Sequence, residues 1–232
     1  MRNWTHLQPT PAIDTAAARA QFGWGDETIV LHAGNMGVKQ GLHNVVDAAA
    51  LAASRGDDVK FVLLGGGGDR ARLEALGVGI PTLQFMPSLD DAQFAAAIGS
   101  ADVLLVNEKA GVSEMAVPSK LTSYFSAGRP VVAATDPSGI TADEVRAAGS
   151  GIVVPAGNPK LLLDAVLELG ADKERCRLLG ANGRRYRETV LDEDTAIDKL
   201  SDLLVRLTAR ESVNSASPFS ELDLAKEARS II

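Results

Sequence analysis

Cysteine is almost missing from this chain: Cys176 is the only one among 232 residues. A lone thiol makes no intramolecular disulfide and no cysteine-based metal site, which fits a reducing compartment. Histidine is nearly as scarce, and His6, His32 and His43 show no ligand spacing. No excess of basic residues exists, since 23 Lys and Arg face 30 Asp and Glu for a net charge of −7. A duplex-binding protein carries a basic face, so nucleic acid is not an expected partner. An acidic total still allows a local cationic pocket. No apolar run approaches the roughly 20 residues that cross a bilayer, and the opening lacks the apolar stretch of a signal peptide. These absences together read as a soluble, cytoplasmic protein.

What is present is a regular alternation. Short apolar runs at Thr28–Ala33, Val59–Leu64, Thr82–Met86, Asp102–Val106, Pro130–Ala134 and Gly151–Val154 read as buried strands. Between them, Leu42–Ser54, Arg70–Leu76, Asp90–Ile98, Pro118–Ala127 and Thr141–Ala148 read as helices, with Asp90 as a cap and Pro118 in a first turn. The order predicts α/β architecture: a parallel Rossmann-like sheet of about six strands with helices on both faces. Beyond Pro159 the pattern is helical only, at Pro159–Leu169, Lys173–Glu188 and Thr195–Leu207. The predicted domain spans 26–210, preceded by a linker over 1–25 and followed by a flexible tail over 211–232.

Ligands of such sheets sit beyond the carboxyl ends of the strands, so the loops there hold the candidates. After the first strand comes GNMGVKQG, with Gly34, Asn35, Gly37 and Lys39. Glycines let a backbone approach a ligand. A helix beginning near Gly41 would offer free N–H groups and a positive dipole end. The set suits a diphosphate, and it also reads as a glycine-rich connection with a surface lysine. It is neither a Walker loop nor G-x-G-x-x-G. Gly65–Gly68 after the second strand is either a tight packing turn or room for a ligand, with Gly65 and Gly66 as the candidate contacts. Phe85, Pro87 and Leu89 form an apolar loop that can hold a base or simply join the core. The long loop from Asn107 to Pro118 carries Glu108, Lys109 and Glu114, and long loops tend to be functional. Ser119 and Lys120 then open a second helix on the same edge.

The segments HAGNMGVKQGL, LLGGGGDRARLEALG and PSKLTSYFSAGRPVVAATDPSG resemble the C-terminal domain of family 4 retaining glycosyltransferases over residues 28–208. The likeness is greatest to bacterial enzymes that add fucose-like or N-acetylfucosamine-like sugars to colanic acid, capsule and O-antigen precursors. The resemblance implies one half of a GT-B fold. The nucleotide-sugar donor would bind here, a UDP-sugar in preference to a GDP-sugar, and the acceptor would bind an N-terminal domain missing from this chain. It implies catalytic roles for Lys39, Lys120 and Glu114 and donor contacts from the loops named above. It implies no metal and no cofactor. Membrane contact would come only through the acceptor or the other domain, at the inner face. Many family members carry a pair of glutamates whose places here fall at Met115 and Ser123, with Glu114 one residue out of register. The branch with PSKL lacks the second glutamate, and Ser123 stands in its place.

Two other readings of the same fold remain open: a nucleotide-sugar 2-epimerase half and a non-catalytic nucleotide-binding module. Asp57-Asp58 and Asp192-Glu193-Asp194 read as solvated turn acids, His32 as a satisfied core histidine, and Arg184-Arg185 as a solvated helix face.

Overall fold

A computed structural model describes residues 13–112 and 119–192. Six strands form one sheet in the order β3-β2-β1-β4-β5-β6. They are β1 (Thr28–Ala33), β2 (Val59–Leu64), β3 (Leu83–Met86), β4 (Val103–Asn107), β5 (Val131–Thr135) and β6 (Gly151–Pro155). Every pairing is parallel, as in Thr28 opposite Val59 and Leu104 opposite Val131. The chain runs outward from β1 to β3, then returns to lay β4 on the other side of β1. That reversal leaves a crevice between the β1 and β4 loops, the place where such sheets bind ligands.

The strands are apolar on both sides because helices cover both faces. Ile29, Leu31 and Ala33 join α1 (Thr15–Phe22), α4 (Asp91–Ser100), α5 (Lys120–Ala127) and α6 (Ile140–Ala148) in one core. Val30 faces the other core, made with α2 (His43–Arg55), α3 (Arg70–Leu76) and α7 (Pro159–Ala171). Asp90 caps α4 by accepting from Gln93 N at 2.8 Å, as its position predicts. Helix α8 (Lys173–Val190) lies on α5. Gly180 permits this: a Cβ there would run into the Gly128 carbonyl. Phe125 meets Tyr186 edge-on at 6.0 Å. Among the described residues no helix is long and apolar enough to cross a membrane.

Residues 13–25 differ from their reading as linker. Asp14 caps α1, and Ala18, Phe22 and Trp24 are buried. Arg19 binds the carbonyls of Gly25 and Glu27 and pairs with Asp102 at 2.9 Å. Asp102 in turn accepts from Ile29 N. This arginine therefore fastens the chain's entry into β1 to the start of β4. Arg184 also does more than face solvent, donating to Ala127 O at the end of α5. The stretches 1–12, 113–118 and 193–232 lie outside the described residues, and with them Glu114, Met115, Pro118, the helix expected at Thr195–Leu207 and the tail.

Tyr124 ties α5 beneath the end of β1. Its hydroxyl accepts from Ala33 N at 2.9 Å, and burial pushes the phenol far up from its usual ionisation. Tyr124→Phe should strand a buried N–H and cost about 1–3 kcal/mol. Denaturant unfolding measures this, and an unchanged midpoint would show that the bond contributes nothing.

Candidate functional site

The β1 loop is shaped by its own glycines and by those of the β2 loop. Gly34 turns at φ +125° and donates to Leu64 O. Met36, its side chain fully buried, donates to Gly66 O at 2.7 Å and accepts from Asp69 N at 2.9 Å. A Cβ on Gly65 would strike the Gly34 carbonyl, and one on Gly67 would lie 2.5 Å from Asn35 Oδ1. These two glycines are packing residues. Gly66 and Gly68 instead face open space, with nothing within 4 Å of a Cβ. The packing reading of the glycine run holds at Gly65 and Gly67, while Gly66 and Gly68 leave space open.

Gly37 opens a single 3₁₀ turn over Val38–Gln40, and its N–H is taken by Gln40 Oε1 at 3.1 Å. Helix α2 starts only at His43, with Asn44 N and Val45 N donating to Gly41 O and Leu42 O. The helix start expected near Gly41 therefore falls within a residue of its predicted place, directly after the 3₁₀ turn. The left-handed Gly41 (φ +56°) separates the two turns, and a Cβ on it would clash with the Lys109 backbone.

Across the crevice, the β4 loop is bonded directly to this turn. Asn107 donates to Gln40 O at 2.7 Å and to Gly41 O at 3.1 Å, while its Oδ1 accepts from Asn44 Nδ2 at 2.8 Å. Lys109 N donates to Lys39 O at 2.9 Å. The next residue, Glu108, is buried and turned away toward β5 and α6, accepting from Thr141 Oγ1 at 2.6 Å and from Thr135 Oγ1. The sequence reading placed Glu108 in a functional loop and gave Asn107 no role of its own, whereas both side chains are bonded within the fold. The available signal was a pair of polar residues ending an apolar strand.

Three lysines stand on the elements of this framework. Lys39 and Lys109 are exposed on their two loops. Among the described residues neither has a carboxylate within ion-pair distance. Lys120 is half-buried at the first position of α5, and its Nζ lies 3.9 Å from where a Gly34 Cβ would stand. Ser119 makes no side-chain cap, and the first turn of α5 holds no acid to oppose an incoming anion. Ser123 is half-buried one turn on. At the far side, Phe85 packs into the α2 core and Leu89 into the α4 core, leaving Pro87 exposed between them.

His32 lies beneath, and it is not the satisfied core histidine expected. It is fully buried, and neither ring nitrogen has a hydrogen bond of ordinary geometry, although backbone of Asn35 and Leu105 lies against the ring. Burial first, and the Lys120 charge second, hold its pKa well below 6.5. The geometry thus offers glycine backbone, three cations and a neutral floor, which suits a multiply charged anion.

Residues 14–186 match the family of glycosyl transferases group 1, and the chain belongs to it. Among curated relatives, it is 35% identical over 132 residues to WcaI of Escherichia coli (strain K12), described as a colanic acid biosynthesis glycosyl transferase. That match covers 54% of this chain and 32% of WcaI. It is 30% identical over 206 residues to the alpha-D-kanosaminyltransferase of Streptomyces kanamyceticus, covering 82% of this chain and 50% of that one. The chain therefore spans a third to a half of the length of these relatives. Among solved structures, HepE of Anabaena in complex with UDP superposes with a TM-score of 0.68 at 18% identity, over 83% of this chain and 52% of HepE. Sucrose-phosphate synthase of Thermosynechococcus elongatus gives 0.71 at 23%, over 90% and 52%. These likenesses place the fold among GT-B glycosyltransferase structures.

His32 makes stability depend on pH. The folded ring stays neutral, while the unfolded ring takes a proton below its ordinary 6.5. Its contribution is whole above 6.5 and falls as pH drops below it, by at most roughly 1.4 kcal/mol per pH unit for one proton. Urea unfolding at pH 7.5 and 5.5 should show a steeper loss for the parent than for His32→Met. Equal slopes would refute the assignment.

Proposed function

We propose that this chain is the donor-binding part of a retaining glycosyltransferase of polysaccharide biosynthesis. A nucleotide diphosphate sugar lies across the crevice between β1 and β4, and an acceptor-binding domain outside this chain completes the enzyme. The observation that carries the reading is the meeting of Lys120 Nζ with the Gly34 turn, while Lys109 N is bonded to Lys39 O. Two loops from opposite sides of the switch point thereby set lysine-bearing backbone side by side.

In the proposed reaction, the bond from the anomeric carbon to the diphosphate oxygen breaks as the acceptor hydroxyl bonds to that carbon and passes its proton to the departing diphosphate oxygen. Charge accumulates on the departing diphosphate, and Lys39, Lys109 and Lys120 oppose it without a bound metal. Gly66 supplies the open backbone beside it, and Ser123 lies nearest the ribose. Glu114, from the same β4 loop, is assigned to the sugar by resemblance. The UDP complexes of HepE favour a uridine donor. A relative named for GDP-mannose dependence, from Mycobacterium tuberculosis, makes guanosine the alternative.

Calorimetric titration with UDP, GDP and uridine tests the site. A hydrogen bond to a charged group contributes about 1.5–3 kcal/mol, so Lys39→Ala should weaken diphosphate binding by about tenfold or more and uridine binding far less. Equal diphosphate affinity in mutant and parent would remove Lys39 from the site. Lys120→Ala should weaken diphosphate binding while changing the unfolding midpoint little, and a large fall in the midpoint would make Lys120 structural.

The division of labour has its own measurement. Sugar transfer to a lipid-linked glycan should be weak with this chain alone and robust once an acceptor domain is added, because holding both reactants contributes about 7–11 kcal/mol. Robust transfer by the chain alone would overturn the proposal of a separate acceptor domain.

A further inference from the structure

The opposite edge of the sheet holds a second concavity, remote from the lysines of the first. It opens where β1, β4 and β5 begin, beside Thr28, Asp102 and Pro130, and the start of α8 forms its other wall. Its volume of about 420 Å³ falls in the range of small-molecule sites. Nothing in the donor site uses it.

Its charge is unbalanced. Asp102 lines it but is already engaged by Arg19 and by Ile29 N. Arg129 is half-buried at its floor and donates to the Gly99 carbonyl. Among the described residues it has no carboxylate within ion-pair distance. A desolvated cation without a counter-charge is unfavourable. Burial accordingly pulls the Arg129 pKa down, with Asp102 opposing and the nearby Arg19 and Arg184 adding to the fall. Lys173, exposed at the first position of α8, lines the same space and makes no ion pair or hydrogen bond among the described residues. Asp26 on the rim is the one acid of the lining without a cation of its own. The remaining balance is positive.

We infer that this concavity, between Arg129 and Lys173, is a binding site for a small multivalent anion of the phosphate class. Arg129 supplies a planar fork suited to phosphate oxygens, and Lys173 closes over the anion from the α8 side. The site is separate from the donor crevice, and it stands whether or not the glycosyl-transfer reading holds.

Cys176 lines the same cavity, its thiol donating to Leu169 O, and it is the sole cysteine of the chain. It therefore reports on occupancy at one place. The experiment measures its modification by N-ethylmaleimide, an uncharged reagent, with pyrophosphate added at constant ionic strength. A Lys39→Ala background weakens pyrophosphate binding at the donor edge. Saturable slowing of at least about threefold is expected, and it should be lost in Lys173→Ala, whose side chain makes no bond that the fold needs. Arg129→Lys should weaken the protection while keeping a cation on the floor. A rate indifferent to pyrophosphate, or protection undiminished in Lys173→Ala, would overturn the proposal.

Discussion

The carboxyl edge of the sheet depends on one buried pair of amides. Asn44 and Asn107 meet at 2.8 Å, and Asn107 spends its donors on the carbonyls of Gln40 and Gly41. This contact helps to fix the height of the β1 loop against the β4 loop, since the strands are paired only lower down, at Val30–Val103 and Leu31–Leu104. Both side chains are almost fully buried, so water does not compete for their bonds. The left-handed turn at Gly41 and the bond between Lys109 N and Lys39 O follow from the same approach of the two loops.

The lysines gather on a molecule whose net charge is −7. A field of this kind is local, because beyond about 8–10 Å exposed charges are screened at ordinary ionic strength. What matters is which acids stand close. Glu108 adjoins Lys109 in sequence, yet its carboxylate is met by the hydroxyls of Thr135 and Thr141. Asp69 is held by Arg72, whose guanidinium keeps the carboxyl below its usual range. Among the described residues, these two acids are thus engaged by other side chains.

The strands were legible because each is an apolar run between helical stretches, and buried parallel strands need no finer signal. Helix starts marked by a side chain, such as Asp90, were legible as well. Helix α1 was not: TAAARAQF has little apolar contrast and follows two prolines, and its place in the core rests on Phe22, Trp24 and the reach of Arg19 to Asp102. The candidate lysines were singled out from local context, glycine neighbours and a strand just before. The Asn44–Asn107 pair, the division of labour within Gly65–Gly68 and the unsatisfied ring of His32 could not. Each arises where residues far apart in the chain are brought to within a bond length or two, and no local pattern encodes that.

The interlock of the β1 and β2 loops has a consequence for how this edge can change. Gly65 and Gly67 leave no room between themselves and Gly34, Asn35 and Met36, and Met36 exchanges two backbone bonds with the second loop. The two segments are therefore one inheritable unit. A graft that carried the first loop from another member of the family, without the second, would set foreign side chains against a mould cast for glycine. Recombination that moves both together keeps the fit, and altered ligand preference at this edge is reached by exchanging the pair.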